Sequence, residues 1–68
     1  MIEPSACYLG EYFWFIDDGV VKEGEVVSTY RKGCVILSAF DNSGTFRCDP
    51  KELYETEKEC RLALKGNK

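Results

Sequence analysis

Sixty-eight residues make one small domain, able to bury only about 60% of the surface its unfolded chain exposes. With 44% hydrophobic and 13% aromatic residues, an aromatic-rich core is the expected source of stability, in place of metal or disulfides. The net charge of −3 is unevenly spread: residues 1–30 carry six acids against one base, and residues 31–68 eight bases against six acids. An acidic first half argues against non-specific nucleic-acid binding, which draws on clustered Lys and Arg.

Met1-Ile2-Glu3-Pro4-Ser5 has neither the basic start nor the long apolar stretch of a secretory signal, and the longest apolar run is five residues, far short of a membrane span. The expectation is a reducing cytoplasm, in a bacterium or a phage-infected host cell. Residues 1–10 read as an irregular lead-in punctuated by Pro4 and Gly10, with Tyr8 and Leu9 as core anchors. A first strand follows at about 11–17. Its centre, Tyr12-Phe13-Trp14-Phe15-Ile16, places Tyr12, Trp14 and Ile16 on one face and Phe13 and Phe15 on the other. Asp17-Asp18-Gly19 supplies the reversal.

Val20-Val21-Lys22 reads as a short extended piece and Glu23-Gly24 as a bend or bulge. Glu25–Arg31, rich in β-branched residues, is the second strand. After a turn at Lys32-Gly33, Cys34–Phe40 is a third strand, apolar on both faces. Asp41-Asn42-Ser43-Gly44 is a strong turn signal, and Thr45–Cys48 alternates like a strand with one wet face. Asp49-Pro50-Lys51-Glu52 can open a helical turn with Asp as cap and Pro at the first position. Leu53-Tyr54-Glu55 reads as a last short strand. Thr56 and Glu59 form a capping box ahead of the stripe Cys60, Ala63 and Leu64, which predicts a helix over 57–65 with Gly66 just beyond it. A single fused helix over 50–65 is the alternative. The expected core is Phe13, Phe15, Val27, Ile36, Phe46, Leu53, Cys60 and Leu64, and a one-residue register error would exchange faces.

Little in the chain speaks for chemistry. Cys7, Cys34, Cys48 and Cys60 are widely spaced, without a Cys-x-x-Cys pair and without any histidine, so the expectation is buried free thiols, no metal and no cofactor. Activated nucleophiles usually need a histidine base, so no catalytic residue is expected. Asp17 and Asp18, adjacent in sequence, suit a turn better than an acid–base pair.

Two segments together resemble a known group. Phe13–Val27, with its aromatic strand, Asp18-Gly19 and Gly24, resembles the opening of small SH3-like barrel proteins found among uncharacterised reading frames of bacteria, phages and mobile elements. Gly44-Thr45-Phe46 and Glu52–Cys60 resemble their closing strand and helix, with Tyr54 where they often carry Phe and Cys60 where they carry Ala. The resemblance spans roughly residues 12–64 and implies a mainly β fold: a small SH3-like antiparallel barrel of four or five strands with one short C-terminal helix. It implies accessory, interaction or host-defence-inhibitor roles and brings no site residues with it.

The functional expectation is therefore a non-catalytic protein-interaction module, with Tyr12, Trp14, Ile16, Asp17 and Asp18 as the partner-binding set, because a small barrel has one interior and this strand is apolar on both faces. The acidic first half suits a basic partner, and self-association as a homodimer is a further option. The alternative is a nucleic-acid-binding barrel using Tyr30, Arg31, Lys32 and Arg47.

Overall fold

Asp18 and Gly19 take successive positive φ values of 51° and 78° in the computed structural model, which describes residues 2–29 and 33–66. Two left-handed residues in a row give the turn whose twist matches paired strands, so the chain folds straight back on itself. The strands so joined are β1 (Tyr12–Asp17) and β2 (Val20–Thr29), paired antiparallel from Asp17↔Val20 to Tyr12↔Glu25. β2 continues into antiparallel pairing with β3 (Val35–Ala39), which pairs in turn with β4 (Thr45–Cys48). The result is one four-stranded sheet in the order β1-β2-β3-β4, followed by the helix α1 (Glu57–Gly66).

The expected break at Glu23-Gly24 does not occur: β2 runs unbroken through it. Gly24 is where β2 stops serving β1 and starts serving β3, pairing with both Phe13 and Ala39. A Cβ there would lie 2.8 Å from the Ser38 carbonyl oxygen, so glycine is needed for close backbone approach. The irregularity falls three residues later: Val26 pairs with Leu37 and Ser28 with Ile36, leaving Val27 as the extra residue of a bulge.

That register corrects the expected core. Phe13, Phe15, Leu53 and Cys60 are buried as anticipated, but Val26, Val35, Leu37 and Ala39 fill the places assigned to Val27 and Ile36. Val27, in the bulge, is 46% exposed, and Ile36 is half-buried on the face that also carries Ser38. Phe46 packs partly buried on the core, its ring 5.2 Å from that of Phe15. Leu64 is half-buried.

The lead-in contributes through other residues than expected. Ile2 and Cys7 join the core, while Tyr8 and Leu9 are 67% and 66% exposed. The cause is a turn: Glu11 N–H bonds the Tyr8 carbonyl, Gly10 N–H the Val26 carbonyl, and Val26 N–H the Glu11 carbonyl. Residues 10 and 11 thus extend the β1–β2 ladder, and Tyr8 and Leu9 sit on the outside of the turn leading into it. A bond from Ile2 N–H to the Pro50 carbonyl pins the start of the described chain to the far end of the fold.

Pro50–Glu52 forms a single 3-10 turn capped by Asp49, whose carboxylate accepts the Lys51 N–H while Glu52 reaches back to the Asp49 N–H. The expected last strand is reduced to one bridge, in which Tyr54 exchanges both backbone bonds with Trp14 at 2.9 Å. Capped turns on either side leave too little extended chain for more. Among the described residues the ladders therefore do not close into a ring between β4 and β1. Thr56 caps α1 by accepting the Glu59 N–H at 3.2 Å, and Glu57 pairs with Arg61 one turn on. The helix packs on β1 and β2 and buries Cys60 completely, apart from the main core cluster. Among the described residues, no helix is long and apolar enough to cross a membrane.

Candidate functional site

Strand alternation puts Tyr12, Trp14 and Ile16 on the face of β1 opposite to the core residues Phe13 and Phe15. Their partners on β2 are Glu25, Glu23 and Val21, which share that outer face. Across β2, Ser38 stands opposite Glu25, and the Phe40 N–H donates to the Glu23 carbonyl at 2.9 Å, so Phe40 stands opposite Glu23. The Tyr12 and Phe40 rings reach towards each other diagonally over β2 and meet edge-to-face, with centroids 4.9 Å apart and planes at 82°. Tyr12 is 58% exposed and Phe40 47%. Two half-naked rings thus meet between the roots of two glutamates.

The predicted set is split by this geometry. Tyr12 belongs to the exposed pair. Trp14 is half-buried, fixed by its Tyr54 bridge on a strand that carries α1. Ile16 and Asp17 lie at the far end of β1, on the wall of a cleft of about 470 Å³ with Phe15, Phe46, Arg47, Lys51 and Tyr54. Asp18 is exposed in the turn. The five residues therefore form no single patch, and Phe40, absent from the predicted set, completes the aromatic surface. Its signal was in the sequence: Ile36, Ser38 and Phe40 alternate on one face, and Ser38 marks that face as the wet one.

Asp17 has a structural engagement. The Lys22 ammonium donates to its carboxylate at 2.8 Å and to the Ser43 hydroxyl at 3.0 Å, lies 3.5 Å from Asp41, and sits 5.1 Å over the Phe46 ring. The hydrogen bond to Asp17 is the main reason the Lys22 pKa is raised. Asp41 accepts from the side chain and backbone N–H of Ser43, and these bonds hold its carboxyl below the ordinary value. Three cysteines are buried, and burial pushes the Cys48 thiol up to about 11, a protonated and unreactive state at neutral pH.

Of the alternative set, Tyr30, Arg31 and Lys32 lie outside the described residues. Arg47 is exposed on β4 and lines the cleft together with Asp17 and Glu52, a mixed-charge surface.

Comparison with family models, with curated proteins and with solved structures finds no match.

Proposed function

We propose that this protein is a non-catalytic protein-interaction module that binds its partner through the outer face of β1 and β3, centred on Tyr12 and Phe40. The observation that carries the reading is the aromatic pair itself. Two large rings left about half exposed, side by side, on a chain that buries its other phenylalanines mostly or wholly, are surface kept for contact. Tyrosine and phenylalanine bring large contact area with few rotatable bonds, so little conformational entropy is lost on binding.

The order of elements favours the finer fold reading, an SH3-like barrel. A long β2 shared by two ladders, a 3-10 turn after β4 and a return to β1 at Tyr54 are the connections such a barrel requires. With the resemblance to small bacterial, phage and mobile-element proteins, this extends the proposal to a cytoplasmic accessory protein that inhibits a host system.

The test is affinity capture from the native host cell with the wild-type chain and with the variants Tyr12→Ala and Phe40→Ala. A protein retained by the wild type and lost with both variants is the expected result. Capture undiminished in both variants would move the interface off this face.

A further inference from the structure

Resting on the reading of this face as an interface, we infer that the Tyr12–Phe40 surface recognises an arginine-bearing segment of its partner protein, with the guanidinium seated against the rings and held by Glu23 and Glu25.

The argument is one of complementarity. Glu25 is directly opposite Tyr12 in the β1–β2 ladder, and Glu23 is directly opposite Phe40 across the β2–β3 ladder, so each ring has a carboxylate for a neighbour on the same face. Both glutamates are half-buried. Among the described residues neither takes part in an ion pair: those pairs are Lys22 with Asp17 and Asp41, and Arg61 with Glu57. Lys22 is the nearest cation in sequence. It lies on the core side of β2, opposite Phe15, and spends its ammonium on Asp17, Ser43 and Asp41.

An apolar partner would have to strip water from these carboxylates without compensation, which is costly. A nucleic acid would meet like charge. A guanidinium answers both demands, since its flat face stacks on an aromatic ring and its edge donates paired hydrogen bonds to carboxylates. The edge-to-face arrangement leaves a ring face and a ring edge presented together, and a planar cation can lie on the first. A lysine would satisfy the charge but not the plane.

The measurement is fluorescence anisotropy with a short labelled peptide of alternating glycine and arginine. Its counterpart carries citrulline, the uncharged isostere, at every arginine position. Wild type is compared with Tyr12→Ala, Phe40→Ala and the double variant Glu23→Gln/Glu25→Gln, each first checked by circular dichroism. The expected result is binding of the arginine peptide that weakens about tenfold on each of three changes: citrulline for arginine, either ring truncation, or the double Gln substitution. Equal binding of the arginine and citrulline peptides would overturn the inference, as would no binding at all. So would binding that needs the glutamates but not the rings, which is unspecific charge attraction. A concentration-dependent dimer abolished by Tyr12→Ala would give the face to a second copy of the chain and likewise overturn it. If the peptide fails while host-protein capture still depends on Tyr12 and Phe40, the arginine inference is wrong and the interaction reading stands.

Discussion

Replacing Gly24 by alanine tests how β2 is built. The φ of Gly24 is not positive, so alanine meets no left-handed strain there, and strand propensity alone would favour it by roughly 0.5–1 kcal/mol. The structure opposes that gain. The new Cβ would lie 2.8 Å from the Ser38 carbonyl oxygen, 3.2 Å from its carbon and 3.3 Å from the Leu37 Cβ. The first two are backbone atoms of the neighbouring strand, which cannot rotate away, and Leu37 is fully buried. Inserting a methyl into such a space typically costs about 1–3 kcal/mol. A 2.8 Å approach to a backbone oxygen is shorter than Cβ atoms tolerate and puts the cost in the upper part of that range. A net loss of about 1–2 kcal/mol therefore remains once the propensity gain is subtracted. A chain of 68 residues has roughly 3–10 kcal/mol to lose, and each kcal/mol moves the midpoint by about 4–8 °C. Thermal unfolding of Gly24→Ala, followed by circular dichroism, should therefore show a midpoint lower by about 5–15 °C. Gly66→Ala, where a Cβ meets nothing within 4 Å at the end of α1, is the control and should leave the midpoint unchanged or slightly raised. A Gly24→Ala protein as stable as wild type would refute the reasoning. It would mean that β2 and β3 do not approach so closely and that Gly24 is a bend, as its neighbours in sequence suggest.

Leu37→Ala should cost about 2–5 kcal/mol in urea unfolding, and Ile36→Ala markedly less, since Leu37 is fully buried and Ile36 half-buried; the reverse order would restore the other register. Under native conditions a thiol reagent should modify Cys34 first, because Cys7, Cys48 and Cys60 are buried, and mass spectrometry of the partly labelled protein would locate the adduct. Asp41 is held below its ordinary pKa in the folded state, so its contribution is complete above the unfolded carboxylate value, near 4, and is lost as pH falls through the lower folded value. Lys22, raised above its ordinary value, contributes fully below about pH 10 and loses that contribution only in alkali. The urea midpoint of wild type should fall on acidification below about pH 4 more steeply than that of Asp41→Asn; parallel curves would show that the carboxylate carries no such linkage.

Much of this fold was legible in the sequence because its boundaries are set by local chemistry. Asp18-Gly19 can form only a tight reversal, Asp49-Pro50 starts a capped turn, and Thr56 with Glu59 opens α1 where the apolar stripe begins. Β4 at Thr45–Cys48 agrees to the residue. What local chemistry does not encode is which of two apolar faces turns inward. Val26-Val27 and Val35-Ile36-Leu37 offer hydrophobic side chains to both sides, and only the bulge at Val27 and the pairing with β3 select Val26 and Leu37. The glycine at 24 looked like punctuation because its reason lies in Ser38, fourteen positions away in sequence and adjacent in space. The candidate site was half legible for the same cause: Tyr12 was visible within its own strand, whereas Phe40 joins it only through the ladders that bring β1 and β3 to either side of β2.

The lysine on β2 carries one more implication. Lys22 reaches from β2 to the end of β1 at Asp17 and to the β3–β4 turn at Asp41 and Ser43, with its ammonium 5.1 Å over the Phe46 ring. Both hairpin tips are thereby latched by one side chain, whose ammonium is shared between Asp17, Asp41 and Ser43. Fraying of either hairpin from its tip releases a contact of the other, so amide exchange at Val20, paired with Asp17, and at Ala39, whose N–H donates to the Gly44 carbonyl, should report a single opening event. The two hairpin tips, far apart in sequence, are thus made to breathe together.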